Sequence, residues 1–252
     1  MGEFKDKIVL VTGAGSGIGR ETALKFAKKG ANVVVSDIND KGGEESVEMI
    51  HKEGGTGTYL HADVAEYGQV VDLIQNISRR FGKIDVAVNN AGIGGNHLLK
   101  TAEYDHNDWH KVIAINQTGV FYCMQEEIKE MLKRKQGCIV NIASIAGIRG
   151  LPNSLAYVAS KHAVVGMTKT AAMEYARHNI RVNAVCPVFT ITNLFKPEYY
   201  PNPEIPKKLK ASIPMKRFSQ ASEMADAIMY LSSDNASFIT GHALPVDGGL
   251  TA

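Results

Sequence analysis

Cysteine is scarce in this sequence. The 252 residues include three cysteines, whose spacing forms neither a CxxC pair nor a zinc-binding pattern. An odd number of widely spaced cysteines also argues against a disulfide scaffold. We therefore expect Cys123, Cys138 and Cys186 to be reduced thiols, serving mainly to fill the core of a cytoplasmic protein.

Long apolar runs and an excess of charge of one sign are absent as well. The apolar run Ile8–Val11, which follows a charged start, is far too short for a membrane span or a signal peptide, and no later run reaches the necessary length. A formal net charge of +2 gives no electrostatic footprint for nucleic acid. The sequence therefore predicts a protein that binds neither membranes nor nucleic acid.

What the sequence does contain is a regular alternation of short β-branched runs with helical patterns. The candidate strands are Ile8–Val11, Ala31–Ser36, Gly57–His61, Asp85–Val88, Cys138–Ile142, Arg181–Val185 and Ala243–Val246. The candidate helices are Gly17–Lys29, Asp40–Glu53, Tyr67–Phe81, Asn107–Arg134, Ser154–Arg177 and Ser222–Ser232. Alternation of this kind is typical of an α/β fold, here a doubly wound, seven-stranded parallel sheet with helices on both faces. Gly30, Gly54, Gly82 and Gly137 stand where these helices should end.

One segment, residues 188–217, interrupts this alternation. It holds five prolines, too many for one long helix: Pro197, Pro201, Pro203, Pro206 and Pro214. Long insertions in compact domains are usually lids or binding loops, so we predict a substrate lid here. A merely tolerated surface insertion is the alternative.

A glycine-rich loop, Thr12–Gly19, joins the first strand to the first helix. Its glycines let the backbone approach a pyrophosphate at the positive end of that helix, as in a Rossmann fold. Arg20 follows the loop where a Walker A motif would need Lys, so nucleotide hydrolysis is unsupported.

The acidic residue Asp37 ends the second strand, where a carboxylate would bond the adenosine ribose. Asp37 would repel a 2′-phosphate, and neither Ser16 nor Ile38 is basic, so we predict NAD(H) in preference to NADP(H). Alternatively, Asp37 is an ordinary turn residue.

Three motifs in this order resemble those of the short-chain dehydrogenase/reductase family. Thr12–Gly19 is similar to its TGxxxGxG loop, Asn89–Gly92 to its NNAG segment and Tyr157–Lys161 to its YxxxK motif. The resemblance covers essentially the whole chain and implies a single dinucleotide-binding and catalytic domain over residues 1–252. Family members are often tetramers, so it also implies a homotetramer that buries the long helices 107–134 and 154–177.

The resemblance further implies a set of cofactor-binding residues. They are Gly13, Ser16, Gly17, Ile18, Gly19, Asp37, Ile38, Asp63, Val64, Asn90, Ala91, Gly92, Tyr157, Lys161, Pro187, Val188, Thr190 and Thr192. Val188 stands where the family usually has glycine, which should narrow the space beside the nicotinamide.

Tyr157 and Lys161 lie four residues apart on one face of a predicted helix. Reduction of a carbonyl needs a proton donor, and tyrosine, with a pKa near ~10, needs a neighbouring cation to become an effective one. By resemblance, Ser144 stabilises charge on the substrate oxygen, and Asn116 holds a water that links Lys161 to solvent. Ala143 stands where many members carry a second serine. Alone, Ser144 could cap a turn and Asn116 could be a locally satisfied core residue.

The substrate pocket should be mostly apolar, which favours a hydrophobic ketone. We expect its walls to include Gly94–His97, Ile145, Leu151, Val188, Phe189 and the lid residues Phe195–Tyr200, with Tyr199 among them. The leading hypothesis is thus an NADH-dependent carbonyl reductase or secondary-alcohol dehydrogenase.

Two other functions stay open. A basic helix end, Lys129–Lys135, could bind an acidic carrier protein and so favour a 3-oxoacyl thioester reductase, although solvated cations at a helix end explain it as well. A protein that senses NAD without chemistry is the alternative of another class. His106 and His110 lack an evident third ligand, so we expect no metal.

Overall fold

Seven parallel strands form the central sheet of the computed structural model, which describes residues 3–96 and 99–252. Numbered along the chain, the strands are β1 (Ile8–Thr12), β2 (Asn32–Asp37), β3 (Thr56–His61), β4 (Val86–Asn89), β5 (Gly137–Ile142), β6 (Ile180–Pro187), β7 (Thr190–Ile191), β8 (Ser219–Gln220) and β9 (Ala243–Val246). The sheet order is β3-β2-β1-β4-β5-β6-β9, while β7 and β8 form a separate pair. The predicted doubly wound sheet is therefore confirmed, and its predicted strand limits are within two residues of those observed.

Helices cover both faces of this sheet. They are α1 (Gly17–Lys28), α2 (Asp40–Lys52), α3 (Tyr67–Phe81), α4 (His106–Ile113), α5 (Gly119–Leu132), α6 (Leu155–Tyr175), α7 (Glu204–Ser212) and α8 (Ala221–Ser232). Within the described ranges, no helix is both long and apolar enough to cross a membrane. Alternate residues of β1 enter two separate cores: Leu10 packs with α3, α5 and α6, whereas Val9 packs with α1 and α8.

The structure differs from the sequence prediction at three local points. The predicted helix 107–134 is divided into α4 and α5 by a π turn, Ala114–Thr118. In the proline-rich segment α7 forms because Pro206 lies in its first turn, where its missing N–H is tolerated. Gly137 does not end a helix but begins β5; a Cβ there would lie 2.2 Å from Met131 Sδ, so close packing requires the glycine.

A buried polar network ties the sheet to two helices. Glu127 on α5 is fully buried and accepts a hydrogen bond from Asn89 Nδ2 at 3.0 Å. Asn89 also donates to Asn141 Oδ1 at 3.0 Å, and Asn141 donates to Thr168 on α6 at 2.9 Å. Burial raises the pKa of Glu127 to about 8, so this carboxyl is protonated at neutral pH.

Candidate active site

The glycine-rich loop after β1 lines a cavity of about 280 Å³ at the carboxyl edge of the sheet. This edge is where open α/β sheets bind ligands. Twelve predicted cofactor-binding residues line it: Gly13, Ser16, Gly17, Ile18, Asp37, Ile38, Asp63, Val64, Asn90, Ala91, Gly92 and Thr192. Five further lining residues were not predicted: Ala62, Ile93, Ile115, Asn193 and Leu194. A cavity lined by this glycine-rich loop and by Asp37 suits a dinucleotide.

Two glycines of the loop are required by its shape. Gly13 has φ 62° and Gly17 has φ 56°, values at which a side chain would strain the backbone. A Cβ on Gly13 would also lie 2.7 Å from Ala91 Cα. Gly19 acts differently, because its missing Cβ lets α1 approach the loop: a Cβ there would lie 2.3 Å from the Gly13 carbonyl oxygen. The loop is thus a bare backbone cradle at the N-terminus of α1.

Neighbouring side chains hold this cradle in place. Asn90 Nδ2 donates to the carbonyl oxygens of Thr12 at 3.0 Å and Gly13 at 2.9 Å. Arg20 reaches from α1 to α2, where it bonds the Gly42 carbonyl at 3.1 Å and pairs with Glu45 at 3.2 Å. Its guanidinium also donates to the Gly15 carbonyl oxygen, so Arg20 joins the loop to α2.

Asp37 is oriented by two backbone donors. The Gly15 N–H donates to its Oδ2 at 2.8 Å and the Asn39 N–H donates to its Oδ1 at 2.9 Å. The carboxylate borders both the main cavity and an adjoining recess, whose lining includes Lys41 and Asn193. Such a carboxylate can accept hydrogen bonds from ribose hydroxyls. Lys41 is a basic residue at this point that the sequence analysis did not consider.

The start of the proline-rich segment passes over the glycine loop. A Cβ on Gly17 would lie 3.2 Å from Thr192 Cβ. Thr192 and Phe195 exchange backbone hydrogen bonds of 3.0 and 3.1 Å, which makes a tight turn with Asn193 and Leu194 at its tip. Thr190, predicted to bind cofactor, instead bonds the Val188 carbonyl and Ser219 Oγ, because its side chain is buried between β7 and β8. Pro187, the last residue of β6, pairs with β9.

Three predicted catalytic side chains meet beside this cavity. Ser144 follows β5 and caps a short 3₁₀ turn, accepting from the Ala146 N–H at 3.1 Å. Its hydroxyl also bonds the Tyr157 oxygen; burial raises the pKa of Tyr157, and this hydrogen bond partly offsets that rise. Lys161 Nζ lies 5.6 Å from the centre of the Tyr157 ring. Burial lowers the pKa of Lys161 to about 8.

Asn116, the fourth predicted residue, lies in the π turn between α4 and α5. Its Oδ1 accepts from the Ile93 N–H and its Nδ2 donates to the Ile93 carbonyl, both at 2.8 Å. A Cβ on Gly92 would lie 3.2 Å from Asn116 Oδ1 and 3.6 Å from Lys161 Nζ, so both side chains reach Gly92. Both polar groups of the Asn116 side chain are therefore engaged by backbone. Irregular turns of this type are frequent at functional sites.

Cys186 was predicted only to fill the core, and it is fully buried. The thiol also faces two of the predicted catalytic residues: burial raises its pKa to about 11, whereas the Ser144 N–H and the Lys161 ammonium act to lower it. Its place at the end of β6 was the available signal, because that end meets the ligand edge of the sheet.

Apolar side chains lie under the proline-rich segment. Ile145, Val188 and Ile213 form a buried cluster with Phe189, Phe218 and Leu250 packed against it. The Phe195 ring contacts Phe189, Phe218 and Tyr200 at centroid distances of 5.5, 5.1 and 5.9 Å.

Other predicted wall residues are placed differently. Tyr199 was expected in the pocket wall, but it is 59% exposed and contacts Lys196. Tyr200 packs against Phe195 in its place. Gly94 is buried and Leu151 half-buried, while His97 lies outside the described residues.

Comparison with known proteins places this arrangement in a family. A family model described as Enoyl-(Acyl carrier protein) reductase matches residues 13–251. A 3beta-hydroxysteroid dehydrogenase of Mediterraneibacter gnavus is 40% identical over 272 aligned residues, covering 100% of this chain and 97% of that protein. The chain belongs to the short-chain dehydrogenase/reductase family. It is therefore an oxidoreductase with a Rossmann dinucleotide-binding fold.

Other short-chain dehydrogenases/reductases are similar to nearly the same degree. The 3-oxoacyl-[acyl-carrier-protein] reductase FabG of Thermotoga maritima is 39% identical, with 98% of each chain covered. An NAD⁺-bound xylitol dehydrogenase structure has a TM-score of 0.92 at 33% identity, covering 98% of this chain and 99% of that one. An actinorhodin polyketide ketoreductase with NADPH has a TM-score of 0.92 at 37% identity, covering 97% of each chain. Both nicotinamide cofactors thus occur among similar structures.

Proposed function

We propose that this enzyme interconverts a hydrophobic ketone and its secondary alcohol with NAD(H). The observation that carries the proposal is the meeting of Ser144, Tyr157 and Lys161 beside a cavity that Asp37 borders. A proton donor and a dinucleotide site at one edge of the sheet are what carbonyl reduction requires.

The residues present fit the dinucleotide. Gly13 and Gly17 leave a backbone cradle for the pyrophosphate, and the N-terminus of α1 favours its negative charge. Asp37 would accept bonds from the adenosine ribose, with Ile38, Asp63 and Val64 beside the adenine. When bound, the nicotinamide supplies or accepts the hydride. Lys161 would bond the nicotinamide ribose, and Thr192 and Val188 would border the ring.

Tyr157 acts as the acid in reduction, giving its proton to the carbonyl oxygen, and as the base in the reverse direction. Ser144 bonds the same oxygen and steadies its developing charge. Burial raises the pKa of Tyr157, so an effective acid at neutral pH needs positive charge beside it to counter that rise, and we assign this role to the Lys161 ammonium. Asn116 would hold the relay water that links Lys161 to solvent, with both polar groups of its side chain already bonded to Ile93.

The substrate preference rests on the apolar cluster around Val188. Phe189, Phe195 and Tyr200 offer rings rather than charged groups, so a flat, hydrophobic ketone is favoured over a sugar phosphate.

A 3-oxoacyl thioester reductase is the second candidate, favoured by the similarity to FabG. The basic helix end gives it little support. Lys129, Lys133 and Arg134 are ion-paired at 2.6, 2.5 and 3.3 Å, and they lie at the end of α5 opposite Asn116, away from the site. A non-catalytic NAD sensor would not need Ser144 and Tyr157 in hydrogen-bond contact.

We also propose a cytoplasmic homotetramer. Phe121 on α5 and Met173 on α6 are 45% and 86% exposed, and both helices are those expected to contact symmetry mates. The three cysteines are buried and unpaired. Light scattering during size-exclusion chromatography measures the molar mass and so tests the assembly. The mass of a monomer at micromolar concentration would contradict the homotetramer.

The decisive test is the initial rate of NADH and NADPH oxidation over a panel of aryl, alicyclic and 3-oxoacyl ketones. We expect NADH turnover with hydrophobic ketones, and a loss of about 10³-fold in Tyr157→Phe with NADH binding nearly unchanged. Activity confined to NADPH and acyl thioesters would move the second candidate to first place. NADH binding without turnover of any ketone would favour the sensor, and full activity of Tyr157→Phe would exclude it as the acid.

A further inference from the structure

Asp108, in the first turn of α4, forms hydrogen bonds with three other residues. Its Oδ2 accepts a hydrogen bond from the Tyr104 hydroxyl at 2.5 Å and another from the Asn96 N–H at 3.0 Å. Its own N–H donates to Asp105 Oδ1 at 2.8 Å, which caps the helix and fixes the residue. One carboxylate oxygen thus holds both the Tyr104 side chain and the loop that follows Ile93.

Loop 93–96 packs closely against Asp108 and Tyr104. Gly95 has φ 70°, and a Cβ on it would lie 2.6 Å from Val112 Cγ2, 3.0 Å from Asp108 Oδ2 and 3.3 Å from the Tyr104 hydroxyl. Asn116 fixes the other end of the loop through its two bonds to Ile93. The segment between Ile93 and Asn96, next to the catalytic cluster, is therefore fastened at both ends.

Tyr104 continues the connection to the helix that carries the catalytic pair. The N-cap residue of α6, Ser154, makes no side-chain capping bond there. The first backbone N–H groups of a helix need partners from elsewhere. Helix α4 packs against α6, and the Ala156 N–H faces the Tyr104 oxygen; burial and the bond to Asp108 nevertheless raise the pKa of Tyr104 to about 12. The neutral Tyr104 hydroxyl therefore lies beside the first turn of α6, next to the residue directly before Tyr157.

We propose that Asp108, acting through Tyr104, is a positioning residue for catalysis: the pair holds loop 93–96 and the first turn of α6 in the relative placement that aligns Tyr157 with the substrate. The inference rests on the proposed function of Tyr157. Neither residue touches the reacting atoms, so its effect is on alignment. A misplacement of about 1 Å can cost on the order of a hundredfold in rate.

The test compares Tyr104→Phe, Asp108→Ala, Asp108→Asn and the double variant Tyr104→Phe/Asp108→Ala. We expect kcat to fall about tenfold in Tyr104→Phe and Asp108→Ala, while the dissociation constant of NADH stays within about twofold. Because the residues act as one unit, the double variant should be no slower than Asp108→Ala. Asp108→Asn keeps an acceptor oxygen and should recover most of the lost kcat.

The matched control is Tyr67→Phe, which removes the hydroxyl of another tyrosine–carboxylate pair, one that joins α3 to Glu126 on α5 at 2.8 Å. Its kcat should equal that of the wild type. Hydrogen exchange supplies a readout independent of turnover: the Ala156 amide should exchange faster in Tyr104→Phe but not in Tyr67→Phe. This readout also decides the question where Asp108→Ala does not fold.

Three results would overturn the proposal: unchanged kcat in Tyr104→Phe, full additivity in the double variant, or unchanged exchange at Ala156. Failure of the proposed function is a separate outcome. If the wild type prefers NADPH or a thioester, the same variants are compared on that substrate, and the positioning role is judged by the same three results.

Discussion

Lys161 and Ile142 are joined by a hydrogen bond of 2.7 Å from the lysine Nζ to the backbone carbonyl oxygen, at a position where 4% of the lysine is exposed. Burial lowers the pKa of Lys161 to about 8, because a charged amine is poorly solvated there. The ammonium that should assist Tyr157 is therefore present at neutral pH but is lost only slightly above it.

Ketone reduction should consequently decline as the pH rises through about 8. Above that value the amine is neutral and no longer stabilises negative charge on Tyr157. The measurement is kcat for ketone reduction between pH of about 6 and 10. Lys161→Arg is the control, since arginine stays charged over this range. Its kcat, even where it is lower than that of the wild type at every pH, should not fall as the pH rises through about 8. A wild-type rate that is level to pH of about 10 would contradict the prediction.

Lys161→Met should make the protein more stable while abolishing activity. The folded pKa of about 8 lies below the unfolded value of ~10.4, so burial of the charge costs stability at every pH below about 8. We expect the free energy of unfolding to increase by ~1–3 kcal/mol at pH 7 and the gain to shrink between the two pKa values. Thermal denaturation at several pH values measures both. A less stable variant at pH 7 would mean that the bond to Ile142 outweighs the cost of burial.

Glu127→Gln should stabilise the protein selectively at high pH. The folded pKa of about 8 lies above the unfolded value of ~4.3, so the stability that protonated Glu127 contributes is complete below pH of about 4 and is lost progressively as the pH rises from there to about 8. Glutamine cannot ionise, and the variant should exceed the wild type by at least about 2 kcal/mol at pH of about 9, with little difference at pH of about 4.

The control for this prediction is Glu126→Gln, in which the replaced carboxyl is ion-paired with Lys129 and its pKa is lowered. It should bring no gain at high pH. The midpoint of thermal denaturation is measured against pH for the wild type and both variants. If all three midpoints change equally with pH, Glu127 does not ionise over this pH range.

Asp37→Ala should change the cofactor preference. Loss of a charged acceptor for ribose hydroxyls should raise KM for NADH about tenfold, and loss of repulsion should lower KM for NADPH. Lys41 borders the recess beside Asp37. In the Asp37→Ala background, Lys41→Ala should therefore remove the gain with NADPH while leaving KM for NADH unchanged. An unaltered ratio of NADH to NADPH use in Asp37→Ala would mean that this carboxylate does not select the cofactor.

Most of the fold and the core of the site could be predicted because their signals are local. Strand and helix periodicity set the limits of the sheet elements, and the spacing of Tyr157 and Lys161 already puts them on one helix face. The motifs Thr12–Gly19 and Asn89–Gly92 each occupy consecutive positions at the end of a strand, and parallel pairing of β1 with β4 brings them together.

Contacts between segments far apart in sequence could not be predicted in this way. The choice of Tyr200 over Tyr199 in the aromatic cluster depends on how the proline-rich segment folds back on Phe195, and both tyrosines are equally apolar in sequence. The elevated pKa of Glu127 arises from its complete burial when α5 packs on the sheet, and the Asn89 amide that partly offsets the rise lies 38 positions away in sequence. Nothing in a helix pattern distinguishes a buried glutamate from a solvated one.

The sequence by itself thus determined the α/β alternation, the glycine cradle and the pairing of Tyr157 with Lys161, because periodicity and short spacings fix backbone geometry locally. Only the tertiary structure decided that Asn116 is engaged by Ile93, that Thr190 is buried away from the cavity and that Asp108 connects Tyr104 to the loop at Asn96. The physical reason is the same in each case. A polar side chain takes the partner that the packed fold brings within about 3 Å, and that partner is set by the whole chain.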